Sequence, residues 1–222
     1  MATEEDIANL ALSHLGDTAT VVSLNPPEGS AQSEHAARFY PIARDTLLEM
    51  HPWRFSTRRI ALAQLTSNWP EWDFAYAKPS DALKVWAVLP PDASDDNSAP
   101  AKLTADIIPT GMQGWGVYTP KPFTMEVDAS GAEVIYTDQD NAVARYSVVV
   151  TDTSRFSPLF VMALSWHLAS MLAGPVIKGD AGAAEAKRAE GMMQVYLSRA
   201  RESDADQQLQ RVKHNVDWMT GR

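Results

Sequence analysis

The chain has 222 residues, 45% of them apolar and 21% charged, with a formal net charge of −9 and no cysteine. This length and balance describe a globular chain able to bury roughly 70% of its unfolded surface, and they exclude disulfides, a thiolate nucleophile and a cysteine-built zinc site. The acidity disfavours a nucleic-acid clamp, which needs a concentrated basic face.

The first residues are acidic and lack a charged-then-apolar leader, and no apolar run approaches the ~18 residues of a bilayer span. The expectation is synthesis in a cytoplasm and no membrane span. Thr3 can cap a helix running to about Leu15, with Ile7, Leu10, Ala11 and Leu15 on one face and Gly16 as its stop. A short extended piece over residues 21–24 and a Pro-Pro turn lead to a second helix, capped by Ser30 and ending at Met50. Its expected stripe is Ala36, Phe39, Ala43, Leu47 and Met50, at three- and four-residue steps. Pro41 lies inside it, at a cost of about 3 kcal/mol, and Pro52 forbids its continuation.

The middle of the chain is strand-rich. Strands are expected over residues 59–65, 74–77, 83–88, 123–127, 133–137 and 142–150. They read as a meander whose last pair is joined by a hairpin turn at residues 138–141. Residues 90–100 have the composition of a solvated, mobile loop. Ser157 and Pro158 then open a helix expected to end at Gly174-Pro175, apolar on more than one face and therefore central in a bundle. Another helix follows over residues 183–203, with Ala189, Met193, Tyr196 and Ala200 as its stripe. The expected fold class is α+β: an antiparallel helical bundle core from residues 1–54 and 156–204, a β-rich insertion at 55–155, and an extended C-terminal tail at 205–222.

Candidate chemistry is sparse. Trp69, Glu71, Trp72 and Asp73 combine aromatic platforms with two carboxylates, as a glycan-cleaving cleft would. On a strand Glu71 and Asp73 would share a face, and such hydrolysis needs carboxyl groups roughly 5–9.5 Å apart. The plainer reading is a loop with packed tryptophans. His14, His35, His51, His167 and His214 show no metal-ligand spacing, and His14 and His167 read as satisfied core or interface histidines. The glycine-containing segment from Gly111 to Gly116 does not open a helix, so it offers no phosphate cradle. Residues 138–141 lack the glycine and distal glutamate of a calcium loop. No metal or other cofactor is expected. Arg54, Arg58 and Arg59 form the one compact basic cluster, with Arg54, Ser56 and Arg58 on a common strand face. Arg211, Lys213, His214, Trp218 and Arg222 form a second basic and aromatic set on the tail, suited to docking on a partner.

Several segments, taken in order, carry a resemblance. They are Asn9-Leu-Ala-Leu-Ser-His-Leu-Gly16, Val21-Val-Ser-Leu24, Tyr40-Pro-Ile-Ala-Arg-Asp-Thr-Leu-Leu48 and Trp53-Arg-Phe55. Tyr76 with Pro79-Ser-Asp81 and Leu83-Lys-Val85, then Phe156 with Leu159-Phe160, and Leu168-Ala169 with Leu172-Ala173 follow. Together they resemble the tail tubular protein A family, the head-to-tail adaptors of short-tailed bacteriophages, over about residues 5–200. The resemblance implies a helical bundle carrying a β-rich region, assembled as a dodecameric ring. Its partners would be the portal protein, further copies of itself and the tail nozzle, with DNA passing through the ring. It implies a structural protein of the virion neck, made in the host cytoplasm, and no enzyme. The rival readings are a virion-associated glycan hydrolase using Glu71 and Asp73, or another tail-completion component.

Overall fold

The computed structural model describes residues 2–18, 20–66, 69–91 and 121–207, and these residues form four α-helices and two antiparallel sheets, a mixed α+β architecture. Helix α1 spans Glu4–His14. Thr3 accepts from the Asp6 amide while Asp6 accepts from the Thr3 amide, a reciprocal cap that satisfies two otherwise orphaned donors. Helix α2, Ala31–Met50, is capped by Ser30 and contains Pro41. Its buried stripe is Ala36, Tyr40, Ala43, Leu47 and Leu48, so the apolar face is turned relative to the expected one, and Met50 is exposed. Residues 21–24 form no strand, only an isolated bridge between Leu24 and Pro27.

Seven strands follow between α2 and α3 in sequence: β1 (Thr57–Ala61), β2 (Gln64–Leu65), β3 (Phe74–Ala77), β4 (Ala82–Leu89), β5 (Phe123–Val127), β6 (Glu133–Thr137) and β7 (Val143–Val148). One sheet has the order β1-β7-β4 and the other β2-β3-β6-β5. Strand β1 runs on into β2 across the sheets, and the Lys121 amide donates to Val88 O, 3.2 Å away, where β5 approaches β4. Residues of both sheets, among them Tyr76, Ile135, Val88 and Ala144, face one shared core.

The expected hairpin between β6 and β7 is not formed. β6 pairs with β3 and β5, whereas β7 pairs with β1 and β4. The turn at residues 138–141 instead passes the chain from one sheet to the other. Asn141 adopts a positive φ of 50°, and the Tyr76 hydroxyl pins the turn by donating to Gln139 O at 2.9 Å. In β4 the expected alternation is broken by two register shifts.

Helix α3, Pro158–Ile177, is capped by Ser157, with proline at its first position, where the missing N–H costs nothing. It packs against α1, α2 and α4. Pro175 does not end it: the helix runs on to Ile177 and stops at Lys178 and Gly179, both at positive φ. By length and composition α3 is apolar enough to cross a membrane, contrary to expectation, but half of that stretch is buried within the protein. Helix α4, Gly179–Ala205, lies along α3 and buries Ala189, Met193, Leu197 and Ala200. Residues 92–120 and 208–222 lie outside the described residues, and with them the expected mobile loop, the glycine-containing segment and nearly all of the expected tail.

Candidate partner-binding surfaces

The turn after α2 is built by its own sequence. Pro52 cannot continue the helix, so His51 takes an extended backbone and the chain reverses. Trp53 is buried: its indole donates to Leu47 O at 2.7 Å and it meets Phe160 edge-on at 5.0 Å. Phe55, Phe156 and Phe160 complete an aromatic cluster that joins this turn to the start of α3. With Trp53 anchored inward, Arg54 reaches α4. Its Nε donates to Asp204 O at 2.8 Å and its amide to Asp204 Oδ1 at 3.3 Å.

Asp204 is only 9% exposed, and its other carboxylate oxygen lies 3.3 Å from His51 Nε2. Two further cations close the same region. Arg201 donates to Met50 O at 3.1 Å, and Lys84 Nζ to Glu49 O at 3.3 Å. Both sit at the carbonyl end of α2, where unsatisfied acceptors and the helix dipole favour positive charge. The result is a clasp holding the end of α4 against the end of α2, next to the point where the chain leads on to residues 208–222.

The basic cluster does not stay together. Residues 54–56 form a turn, and the strand begins only at Thr57, so Arg54, Ser56 and Arg58 do not share a strand face. Ser56 is buried and its carbonyl accepts from the Val148 amide. Arg58 pairs with Asp81 at 2.9 Å, with both side chains about half exposed, a surface pair of at most about 1 kcal/mol. Arg59 lies on the other face of β1, directly opposite Arg145 of β7. Arg211, Lys213, His214 and Trp218 lie outside the described residues.

Glu71 and Asp73 are not on a strand either. They occupy the turn before β3, where the Asp73 amide donates to Asp138 Oδ1 at 3.2 Å. Trp72 packs on a small cluster of Ala75, Val134 and Tyr136, while Trp69 is 54% exposed. His14 stacks face to face on Trp166, ring centroids 3.7 Å apart, and its Nε2 lies 3.1 Å from Ser165 Oγ. Burial, and secondarily the charge of Arg188, hold its pKa below the ordinary value. His167 departs from expectation: both ring nitrogens are buried without a hydrogen-bond partner among the described residues, and burial lowers its pKa against the opposing pull of Glu190. Among the described residues no group of three or more His, Asp or Glu side chains could hold a metal ion.

Asp204, Arg201 and Lys84 were missed in the sequence. Asp204 carried a signal, since it continues the α4 stripe of Met193, Leu197 and Ala200 at helical steps. A carboxylate in line with buried apolar residues must be paired. Compared with models of known protein families and with curated proteins, the chain matches none.

Proposed function

We propose that this chain is a head-to-tail adaptor of a short-tailed bacteriophage, a structural virion protein that binds portal, nozzle and further copies of itself in a dodecameric ring through which DNA passes. In this reading residues 1–54 and 156–205 are an antiparallel helical bundle core, residues 55–155 a β-rich insertion, and the residues that follow α4 a tail that docks on a partner. The protein is made in the host cytoplasm and works in the virion neck, with no catalytic step and no cofactor.

The observation that carries the reading is the clasp. The Trp53-Arg54-Phe55 segment, one of those on which the family resemblance rests, joins the start of α3 through Phe156 and Phe160 and holds the end of α4 through Asp204. A rigid base of that kind suits a chain whose last residues must find a partner under load, because a preorganised base lowers the ordering cost of docking. Mixing the purified protein with the portal ring of the same phage and examining the product by electron microscopy or native mass spectrometry tests it. A stoichiometric complex is expected, and two separate species would remove the reading.

A further inference from the structure

We infer that the outer edge of β5 is a docking site for an extended segment of another protein, which adds a strand to the four-stranded sheet and carries a lysine or arginine between two apolar side chains. The inference stands on the geometry of that edge and is independent of the adaptor reading.

Strand β5 ends the order β2-β3-β6-β5, so one of its sides has no neighbour in the sheet. The ladder fixes which main-chain groups face that side. The Asp128 amide donates to Ala132 O at 2.9 Å, and the register sets Val127 opposite Glu133 and Met125 opposite Ile135. Bonded and non-bonded pairs alternate along an antiparallel ladder. The main-chain groups of Thr124 and Glu126 therefore point into the sheet, and those of Met125 and Val127 point out of it. Glu133 agrees with this phase, because its carbonyl turns the other way and accepts from the Lys78 amide at 3.2 Å. The outward groups of Met125 and Val127 have no partner among the described residues.

The other sheet edges are blunted in the ways that keep strangers off. β1 carries Arg58 and Arg59, β2 is two residues long, and β4 is broken by two register shifts. β5 runs for five residues in unbroken register with no proline inside it. Met125 is 37% and Val127 66% exposed, and both side chains lie on the sheet face of Ile135. Glu126 stands between them on the opposite face, and it is exposed. Residues 122–132 include Glu126 and Asp128 and no basic residue. A strand laid along this edge bonds to the main chain of Met125 and Val127, and its side chains alternate as those of β5 do. Two apolar side chains then cover Met125 and Val127. The one between them falls beside Glu126, where a cation is favoured and a carboxylate repelled.

The probe is a short blocked peptide that alternates valine with lysine, compared with the same peptide carrying glutamate in place of lysine. Amide hydrogen exchange and an NMR titration are run on the full chain. In the protein alone the amides of Met125 and Val127 are expected to exchange fast. The lysine peptide at saturation is expected to slow both at least about 10-fold, and to bind at least about 5-fold more tightly than the glutamate peptide. Met125→Pro removes an outward N–H that the sheet does not use, a change that edge strands accept. It is expected to weaken peptide binding at least about 10-fold with circular dichroism unchanged. Glu126→Lys keeps the edge and inverts the preference between the peptides, and it decides the matter if the proline variant unfolds. No slowing by the lysine peptide overturns the inference, as does equal binding of the two peptides or binding that Met125→Pro leaves unchanged. Slow exchange of both amides in the protein alone also overturns it. Slowing that grows with protein concentration gives the edge to a second copy, and slowing that vanishes on removal of residues 208–222 gives it to that segment.

Discussion

Asp204 joins two ends of the architecture, because its carboxylate accepts from the Arg54 amide and faces His51 while almost wholly out of water. Asp204→Ala removes the carboxylate that accepts from the Arg54 amide and faces His51, and is expected to cost about 1–3 kcal/mol, read as a lower urea midpoint. An unchanged midpoint would show that the clasp contributes nothing. His167 has the opposite character, with both ring nitrogens buried and unpaired among the described residues. In the folded protein both His14 and His167 titrate below their ordinary value of 6.5, since burial disfavours the charged ring. The unfolded chain then takes up protons first as pH falls through 6.5, so stability is full above that pH and declines below it. Replacing His167 with Leu should flatten the decline measured between about pH 7.5 and 5.5, and should leave stability at neutral pH unchanged or up to about 1 kcal/mol higher. A steeper decline in the variant would contradict this. The sequence disclosed both histidines as helix residues beside apolar stripes, but whether a buried ring finds a partner depends on residues far away in the chain. For His14 that partner is Ser165, and for His167 none is described.

At the scale of elements, two glycines of α4 give opposite expectations for one substitution. A Cβ on Gly182 would lie 2.9 Å from Ala173 O, a backbone atom of α3 that cannot give way cheaply. Gly182→Ala is therefore expected to destabilise by about 1–3 kcal/mol, outweighing a propensity gain of about 1 kcal/mol. A Cβ on Gly191 meets nothing within 4 Å, so Gly191→Ala should stabilise by about 0.5–1 kcal/mol. Thermal unfolding of both variants settles the pair, and equal shifts would mean that α3 and α4 do not approach as closely as described. Helix starts were legible because caps are local chemistry: Thr3, Ser30 and Ser157 each accept the amide three residues on. Pro175 was misread as a stop because a proline removes one hydrogen bond, whereas the helix as a whole is held by α4 along its side. The β6–β7 hairpin was misread for a related reason. Turn residues at 138–141 permit a hairpin, but the pairing is decided by β1 and β4, which claim both edges of β7.

For the whole molecule, the order of the segments was legible and their spatial partnership was not. Arg54, Arg58 and Arg59 are neighbours in sequence and diverge in space, one to α4, one to Asp81 and one to the opposite face of β1. A strand alternates its faces and a turn does not, so reading residues 54–56 as strand, when β1 begins only at Thr57, misplaces Arg54 relative to Arg58. Removing residues 208–222 cuts the chain beyond the clasp, so the truncated protein should unfold at the same urea concentration as the intact one. It should nonetheless bind portal more weakly, and equal affinity in a pull-down titration would relieve that segment of its assigned part. The claim beneath all of this is that the molecule is shaped to join two assemblies. Cryo-electron microscopy of the protein incubated with the portal ring of the phage to which this reading assigns it tests it most directly. The account predicts added density, at a fixed copy number, on the end of the portal that faces the tail; bare portal rings beside unbound protein would contradict it.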